Sequence, residues 1–188
     1  MVASAFSLLH ADLPLCIGYR AGGRVETRHC LLPARAESVS AARRFVREAS
    51  ASWSPRAANL DSVLADLGVV VSELVTNALV HAFAVSAAFG PEAAHAADAG
   101  PISMCLIHEP CDTGVERVVF AVADPSADSP LTAGPDAMGG AWADLRESGR
   151  GMTLVEALAD DWGWRRMRGR DGVHPAGKVV WASFELAC

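Results

Sequence analysis

The hydrophobic pattern of the chain changes between strand-like alternation and helix-like periodicity. Apolar and polar residues alternate over 24–32, which predicts a strand, and apolar residues recur every three or four positions over 37–53, which predicts a helix. A wider apolar stripe predicts a long helix from Leu60 to Phe83, with Asp61 as its N-cap. Further segments predict strands over 102–107, 115–123, 162–167 and 178–186, and a short helix over 150–160.

These elements together predict an α+β fold. The expected architecture is a two-layer α/β sandwich, in which a mixed, mostly antiparallel sheet has its helices packed on one face. Residues 24–188 would form this domain, and residues 1–23, which lack periodicity, an N-terminal arm. Residues 84–101 are rich in Ala and predict a loop, whereas 125–148, rich in Pro, Gly, Asp and Ser, predict a lid or a binding loop.

Length and composition narrow the functional class. A chain of 188 residues can form one core without a disulfide or a metal. Its net charge of -6 argues against direct binding of nucleic acid, because general binders need Lys and Arg to neutralise phosphates. The five cysteines form no CxxC pair, so we expect reduced thiols and a cytoplasmic location. Without a basic N-terminal region or an apolar run of about 18 residues, we expect neither a signal peptide nor a membrane span.

A narrow polar stripe runs along the predicted long helix. Glu73, Asn77 and His81 are spaced at i, i+4 and i+8, so they share one side of the helix. The surrounding residues 69–82 are nearly all apolar and include no Lys or Arg. The stripe is either the solvated face of an amphipathic helix or the lining of a polar pocket, and the pattern alone leaves both open.

Two other segments contain candidate chemistry. Gly149 and Gly151 flank Arg150 directly before a predicted helix, where backbone N–H groups can bind an anion, although such glycines also form ordinary turns. Asp124 ends an apolar strand, where it can form a turn or, if buried, accept a hydrogen bond from an exocyclic amine. The sequence contains no GxxxxGK[ST], GxGxxG, HExxH or GxSxG motif.

The order of these features resembles the ATPase fold that gyrase and sensor histidine kinases share. In finer detail the chain resembles the anti-sigma-factor serine/threonine kinases, which are small ATP-binding regulators of bacteria. The resemblance extends over about residues 33–186. The segments that carry it are SELVTNALVHA (72–82), VADPSADSP (122–130), GRGMTLVEALADDWGW (149–164) and GKVVWASFEL (177–186).

The resemblance implies ATP or ADP and Mg²⁺ as ligands and assigns roles to individual residues. Asn77 would bind the Mg²⁺ that bridges the phosphates, and Glu73 would act as the base or the orienting group for the attacking hydroxyl. Asp124 would recognise the adenine amino group, and residues 125–148 would form the lid. The other residues assigned to the nucleotide site are His81, Gly149, Arg150, Gly151, Met152 and Lys178.

Two positions depart from the pattern of this family. Asp124 is followed by Pro125-Ser126-Ala127, where many relatives in the wider fold have glycines. Val179 stands where relatives often have a threonine, so a hydroxyl that could support the adenine end is missing. The first departure implies a stiffer turn and the second a weaker base contact.

The function implied by the resemblance is that of an anti-sigma factor with serine/threonine kinase activity. The chain would phosphorylate an anti-sigma-factor antagonist and, once released from it, would hold a sigma factor silent, and we expect a homodimer. One alternative is a non-catalytic nucleotide-binding module that regulates a partner by direct contact. Another is the catalytic core of a split histidine kinase, which ranks last because the helix predicted over 37–53 contains no His.

Overall fold

A computed structural model describes residues 25–51, 53, 57–88, 101–110, 115–126, 129–130, 151–168 and 175–187, with only the backbone described for 81–88, 115, 175 and 176. Its elements, in chain order, are β1 (Glu26–Leu32), α1 (Ser38–Ser50), α2 (Leu60–Ala88), β2 (Ile102–Glu109), β3 (Val115–Asp124), α3 (Gly151–Leu158), β4 (Asp161–Arg168) and β5 (Pro175–Ala187).

All of the helices and strands predicted from the sequence are present, and their ends differ from the predictions by a few residues. The largest difference at a helix end is in α2, which continues to Ala88, into the segment expected to form a loop. Residues 84–88 are mostly alanine, a strong helix former, and the first helix-breaking pair is Gly90-Pro91. Most of the predicted lid, the N-terminal arm and the rest of the 84–101 loop lie outside the described residues.

The five described strands form one sheet in the order β1-β2-β3-β5-β4. Each neighbouring pair is antiparallel, so the sheet in the described part of the chain is antiparallel throughout rather than mixed. In the central pair, β3 and β5, Val122 lies opposite Val180 and Asp124 lies opposite Lys178. Because opposite residues of an antiparallel pair project to the same face, this register decides which side chains can meet.

The three helices pack on one face of the sheet, as predicted. Side chains from α1, α2 and α3 form a single core cluster with the even-numbered positions of β3 and β5, among them Phe120, Val122 and Phe184. The odd-numbered positions form a second buried cluster on the other face, which includes Cys105, Val119 and Val179. The central strands are therefore apolar on both faces, which explains why they lack the strict alternation of a one-sided sheet.

Hydrogen bonds fix the start of α2 to the end of β5. The side-chain amide of Asn59 donates to the carbonyl of Glu185 at 3.0 Å, and the backbone N–H of Ala187 donates to Asn59 Oδ1 at 2.9 Å. The N–H of Ala58 donates to the carbonyl of Ala187 at 2.9 Å. Since α2 then packs over β3 and β5, it runs from the C-terminal end of β5 towards its N-terminal end.

By length and composition alone, the Leu60–Val80 stretch of α2 could cross a membrane. The expectation of no membrane span rested on uninterrupted apolar runs, and this stretch qualifies on mean hydropathy because it contains few charged residues. Its most apolar side chains, including Leu67, Val71 and Leu74, are buried in the core cluster against the sheet. That is the position of the central helix of a folded domain.

Candidate functional site

The polar stripe of α2 lies against the beginning of α3. A β-carbon on Gly151, the first residue of α3, would lie 2.6 Å from Oε2 of Glu73 and 3.7 Å from Nδ2 of Asn77. A side chain at position 151 would therefore displace the carboxylate end of Glu73, whereas its distance from Asn77 is an ordinary van der Waals contact. Glu73 and Asn77 are both partly exposed, so the stripe is the lining of a contact between two helices and not a fully solvated face.

The same contact lies at the end of the sheet that contains Asp124. Measured along the axis of α2, Asn77 lies about 27 Å from Asn59, because each helical residue rises about 1.5 Å. Measured along β5, Lys178 lies about 30 Å from Ala187, because each strand residue rises about 3.3 Å. Because Asn59 and Ala187 are hydrogen-bonded, Asn77 and Lys178 reach the same level of the domain. The fold thus brings together Glu73, Asn77, Gly151 and the Asp124–Lys178 pair at one end.

Asp124 and Lys178 form a buried ion pair on the helix-facing side of the sheet. Lys178 Nζ donates to Asp124 Oδ1 at 3.0 Å, and the two side chains are 1% and 2% exposed, respectively. The same oxygen accepts a hydrogen bond from the backbone N–H of Ser126 at 2.8 Å. The carboxylate is therefore stabilised by an ammonium and an amide before any ligand is considered.

The register corrects the expectation for Val179. Lys178 is the residue opposite Asp124, whereas Val179 is opposite Ala123 and belongs to the buried cluster on the other face. A threonine at position 179 would place its hydroxyl on the face away from Asp124. The residue that lies beside the carboxylate is thus Lys178.

Gly177 is a site residue that the sequence analysis did not select. Its φ of 132° lies in a region that side-chain-bearing residues rarely adopt, and its backbone packs directly on the Asp124 carbonyl and on Cα of Pro125. This contact holds the segment after β3 against the start of β5. The only signal in the sequence is a glycine directly before an apolar strand, which also occurs in ordinary turns.

The remaining predicted site residues are placed as follows. Met152 is buried in the core cluster, and Lys178 is in the ion pair. His81 belongs to α2, and only its backbone is among the described parts of the chain. Gly149 and Arg150 lie outside the described residues. No three His, Cys, Asp or Glu side chains in the described ranges are grouped so as to hold a metal ion.

A comparison with protein-family models matches residues 32–184 to the histidine kinase-like ATPase domain. The chain belongs to this family. The match spans the described fold from the end of β1 to β5 and includes all of the candidate site residues named above. It confirms the family resemblance and the α+β architecture that the sequence motifs predict.

A solved structure shares the histidine kinase-like ATPase fold of the chain. It is the crystal structure of the RsbU and RsbW domains of Rv1364c from Mycobacterium tuberculosis, with a TM-score of 0.51 and 20% sequence identity. The similarity covers 87% of this chain and 33% of the other, so the chain spans about a third of the length of that protein. At this identity the likeness shows the fold alone. No curated protein sequence matches the chain significantly.

The geometry fits the ligands that a histidine kinase-like ATPase domain implies. Gly151 adds no side chain to the start of α3, which lies next to the carboxylate of Glu73 and the amide of Asn77. Helix N-termini bind phosphate groups, and side-chain oxygens are the ligands that Mg²⁺ prefers. The residues at this end of the domain are therefore of the right chemistry for a magnesium nucleotide.

Proposed function

We propose that the chain is an ATP-binding regulator of the anti-sigma-factor type, which phosphorylates a serine or threonine of an anti-sigma-factor antagonist. The observation that carries the proposal is the contact of Gly151 with Glu73 and Asn77. It joins two segments of the resemblance, residues 72–82 and 149–164, in one place, within a chain of the histidine kinase-like ATPase family. The RsbW domain in the similar solved structure supports the choice of this branch.

Each residue at the site has a chemical role in this proposal. Asn77 would offer its amide oxygen to Mg²⁺, and the N–H groups at the start of α3 would bind phosphate oxygens. Asp124 would accept a hydrogen bond from the base. Magnesium ATP would supply the phosphoryl group and the charge neutralisation that its transfer needs.

Glu73 would position the accepting hydroxyl and take its proton. A carboxylate within hydrogen-bond reach of a Ser or Thr hydroxyl can serve as the general base, and phosphoryl transfer depends mainly on such positioning. Glu73 lies one helical turn before Asn77, beside the start of α3. This arrangement keeps the proposed base next to the proposed phosphate site without an intervening side chain at position 151.

The partners follow from the same proposal. The antagonist would be both substrate and competitor, and the sigma factor would bind the chain when the antagonist is phosphorylated. The regulator would act as a homodimer in the cytoplasm. The surfaces that choose these partners would lie outside the nucleotide site.

The proposal is tested by phosphoryl transfer. The chain is incubated with Mg²⁺, ATP labelled at the γ-phosphate and each anti-sigma-factor antagonist protein of its source organism. Label on one antagonist is expected with the wild type and not with Glu73→Gln, which should still bind ATP. Transfer that is undiminished in Glu73→Gln would contradict the role of Glu73.

A second candidate is a non-catalytic nucleotide-binding module. The observation that favours it is the Asp124–Lys178 pair, because the carboxylate proposed to read the base already accepts two hydrogen bonds. In this case the wild type would bind ATP and an antagonist without labelling it. The transfer experiment therefore separates the two candidates when ATP binding is measured in parallel.

A further inference from the structure

Lys178 is a buried cation with unused hydrogen-bonding capacity. Its ammonium has three N–H donors, and among the described residues its one hydrogen-bond partner is Asp124. The side chain is 1% exposed, so water has little access to the remaining donors. On the other side of Lys178 in the sheet lies Arg166, which offers no acceptor. Buried polar groups normally find partners, so donors that lack a partner among the described residues point to a ligand that accepts hydrogen bonds.

The pair changes what this end of the site can recognise. A lone carboxylate only accepts hydrogen bonds, so it pairs with the 6-amino group of adenine and repels the 6-oxo group of guanine or hypoxanthine. Asp124 and Lys178 instead present an acceptor and a donor whose bonded atoms are 3.0 Å apart. The Watson–Crick edge of every purine base also has a donor and an acceptor side by side. Adenine has N6–H and N1, and the 6-oxopurines have N1–H and O6.

We propose that Lys178 makes the base subsite accept 6-oxopurine nucleoside triphosphates, GTP and ITP, as well as ATP. The proposal rests on the proposed function, because it assigns Asp124 to the base. Lys178 donates to O6 of a 6-oxopurine while Asp124 accepts from N1–H. With adenine, Lys178 donates to N1 and Asp124 accepts from the 6-amino group. Recognition of the purine edge is thereby retained, and discrimination between the two purine classes is lost.

The test measures the dissociation constants of ATP, GTP, ITP and CTP with Mg²⁺ for the full chain and for Lys178→Met. Methionine keeps the buried aliphatic stem and removes the donors. We expect the dissociation constants of GTP and ATP for the wild type to agree within about tenfold. In Lys178→Met, the dissociation constant of GTP divided by that of ATP should rise about tenfold or more. Arg44→Met, which removes an equal charge at an exposed site on α1, should leave the ratio unchanged. CTP should bind most weakly, since its smaller base does not present a purine edge.

The wild-type ratio decides the proposal even if Lys178→Met fails to fold. Wild-type protein that binds ATP more than a hundredfold better than GTP would overturn it and leave the proposed function intact. An unchanged ratio in folded Lys178→Met would also overturn it. If the folded wild type binds no triphosphate at all, the proposed function fails together with this inference.

Discussion

The carboxylate of Glu73 lies so close to Gly151 that a side chain at the beginning of α3 would have to displace it. The 2.6 Å between Glu73 Oε2 and a β-carbon at position 151 is shorter than real contacts of that kind. The two residues come from motifs that are far apart in the sequence, and their contact defines the site. Five predictions test this geometry and its surroundings.

Gly151→Ala should weaken ATP binding at least tenfold, because the new methyl group must displace Glu73 or the start of α3. The free energy of unfolding should change little, because the atom that must move is the end of a flexible, partly exposed side chain. Calorimetric titration and urea unfolding measure the two effects. Gly68→Ala in α2 is the matched control, since nothing lies within 4 Å of its β-carbon. That variant should bind ATP normally and be more stable by about 0.5–1 kcal/mol.

Asp124→Ala should destabilise the fold by about 3–5 kcal/mol, because it leaves the Lys178 ammonium buried without its partner. The double variant Asp124→Ala with Lys178→Met should recover most of that loss, since it removes both charges. Urea unfolding of the three variants in a double-mutant cycle gives the coupling energy. Strictly additive losses would show that the two charges do not interact.

Gly177→Ala should destabilise the fold by about 1–3 kcal/mol. Its φ of 132° strains any residue with a β-carbon, and the added atom would collide with the Asp124 carbonyl. The clash moves the segment that holds Asp124, so ATP affinity should fall as well. Denaturant unfolding and nucleotide titration check both effects. A variant as stable as the wild type would mean that the start of β5 adopts another conformation.

Cys105 should make the protein sensitive to alkaline pH. Burial raises the pKa of its thiol from 9.0 to about 12, with a backbone hydrogen bond at Ala121 opposing the shift. The folded thiol therefore keeps its proton where the unfolded thiol has lost it, so stability is complete below pH 9 and falls as pH rises towards about 12. The loss approaches about 1.4 kcal/mol per pH unit.

Urea unfolding between about pH 8 and about pH 10.5 measures this loss of stability. Other groups titrate in the same range, so variants that lack the thiol are compared with the wild type. The wild type should lose more stability across the range than Cys105→Ala does. Cys30→Ala provides the comparison, because that thiol is less buried and its pKa is also raised. Identical slopes for wild type and Cys105→Ala would exclude the buried thiol as the cause.

The helices, the strands and the family could be predicted from the sequence because local periodicity and short motifs carry that information. The strand register could not, since it depends on pairing between segments that are far apart. We therefore expected the hydroxyl that is missing at Val179 to affect the adenine end, whereas the register places Lys178 opposite Asp124. Gly177 was missed for the same reason, because its close approach to the Asp124 carbonyl exists only in the assembled sheet.

The polar stripe on α2 could be predicted from the sequence only in part. The spacing of Glu73 and Asn77 predicted a shared helix side, and both side chains of α2 lie against the start of α3. The sequence pattern alone could not distinguish a pocket lining from a solvated face, because only the packing of α3 decides it. His81 continues the stripe in sequence, and its role stays a prediction.

The most direct test is calorimetric titration of ATP, with and without Mg²⁺, into the wild type and Asn77→Ala. Asn59→Ala is the matched control, since it removes the same side chain at the opposite end of the site-forming helix, where it bonds β5. We expect Mg²⁺-dependent binding to the wild type and to Asn59→Ala, and affinity at least tenfold lower for Asn77→Ala. Folded wild-type protein that does not bind ATP, or equal affinities for wild type and Asn77→Ala, would contradict the proposed site.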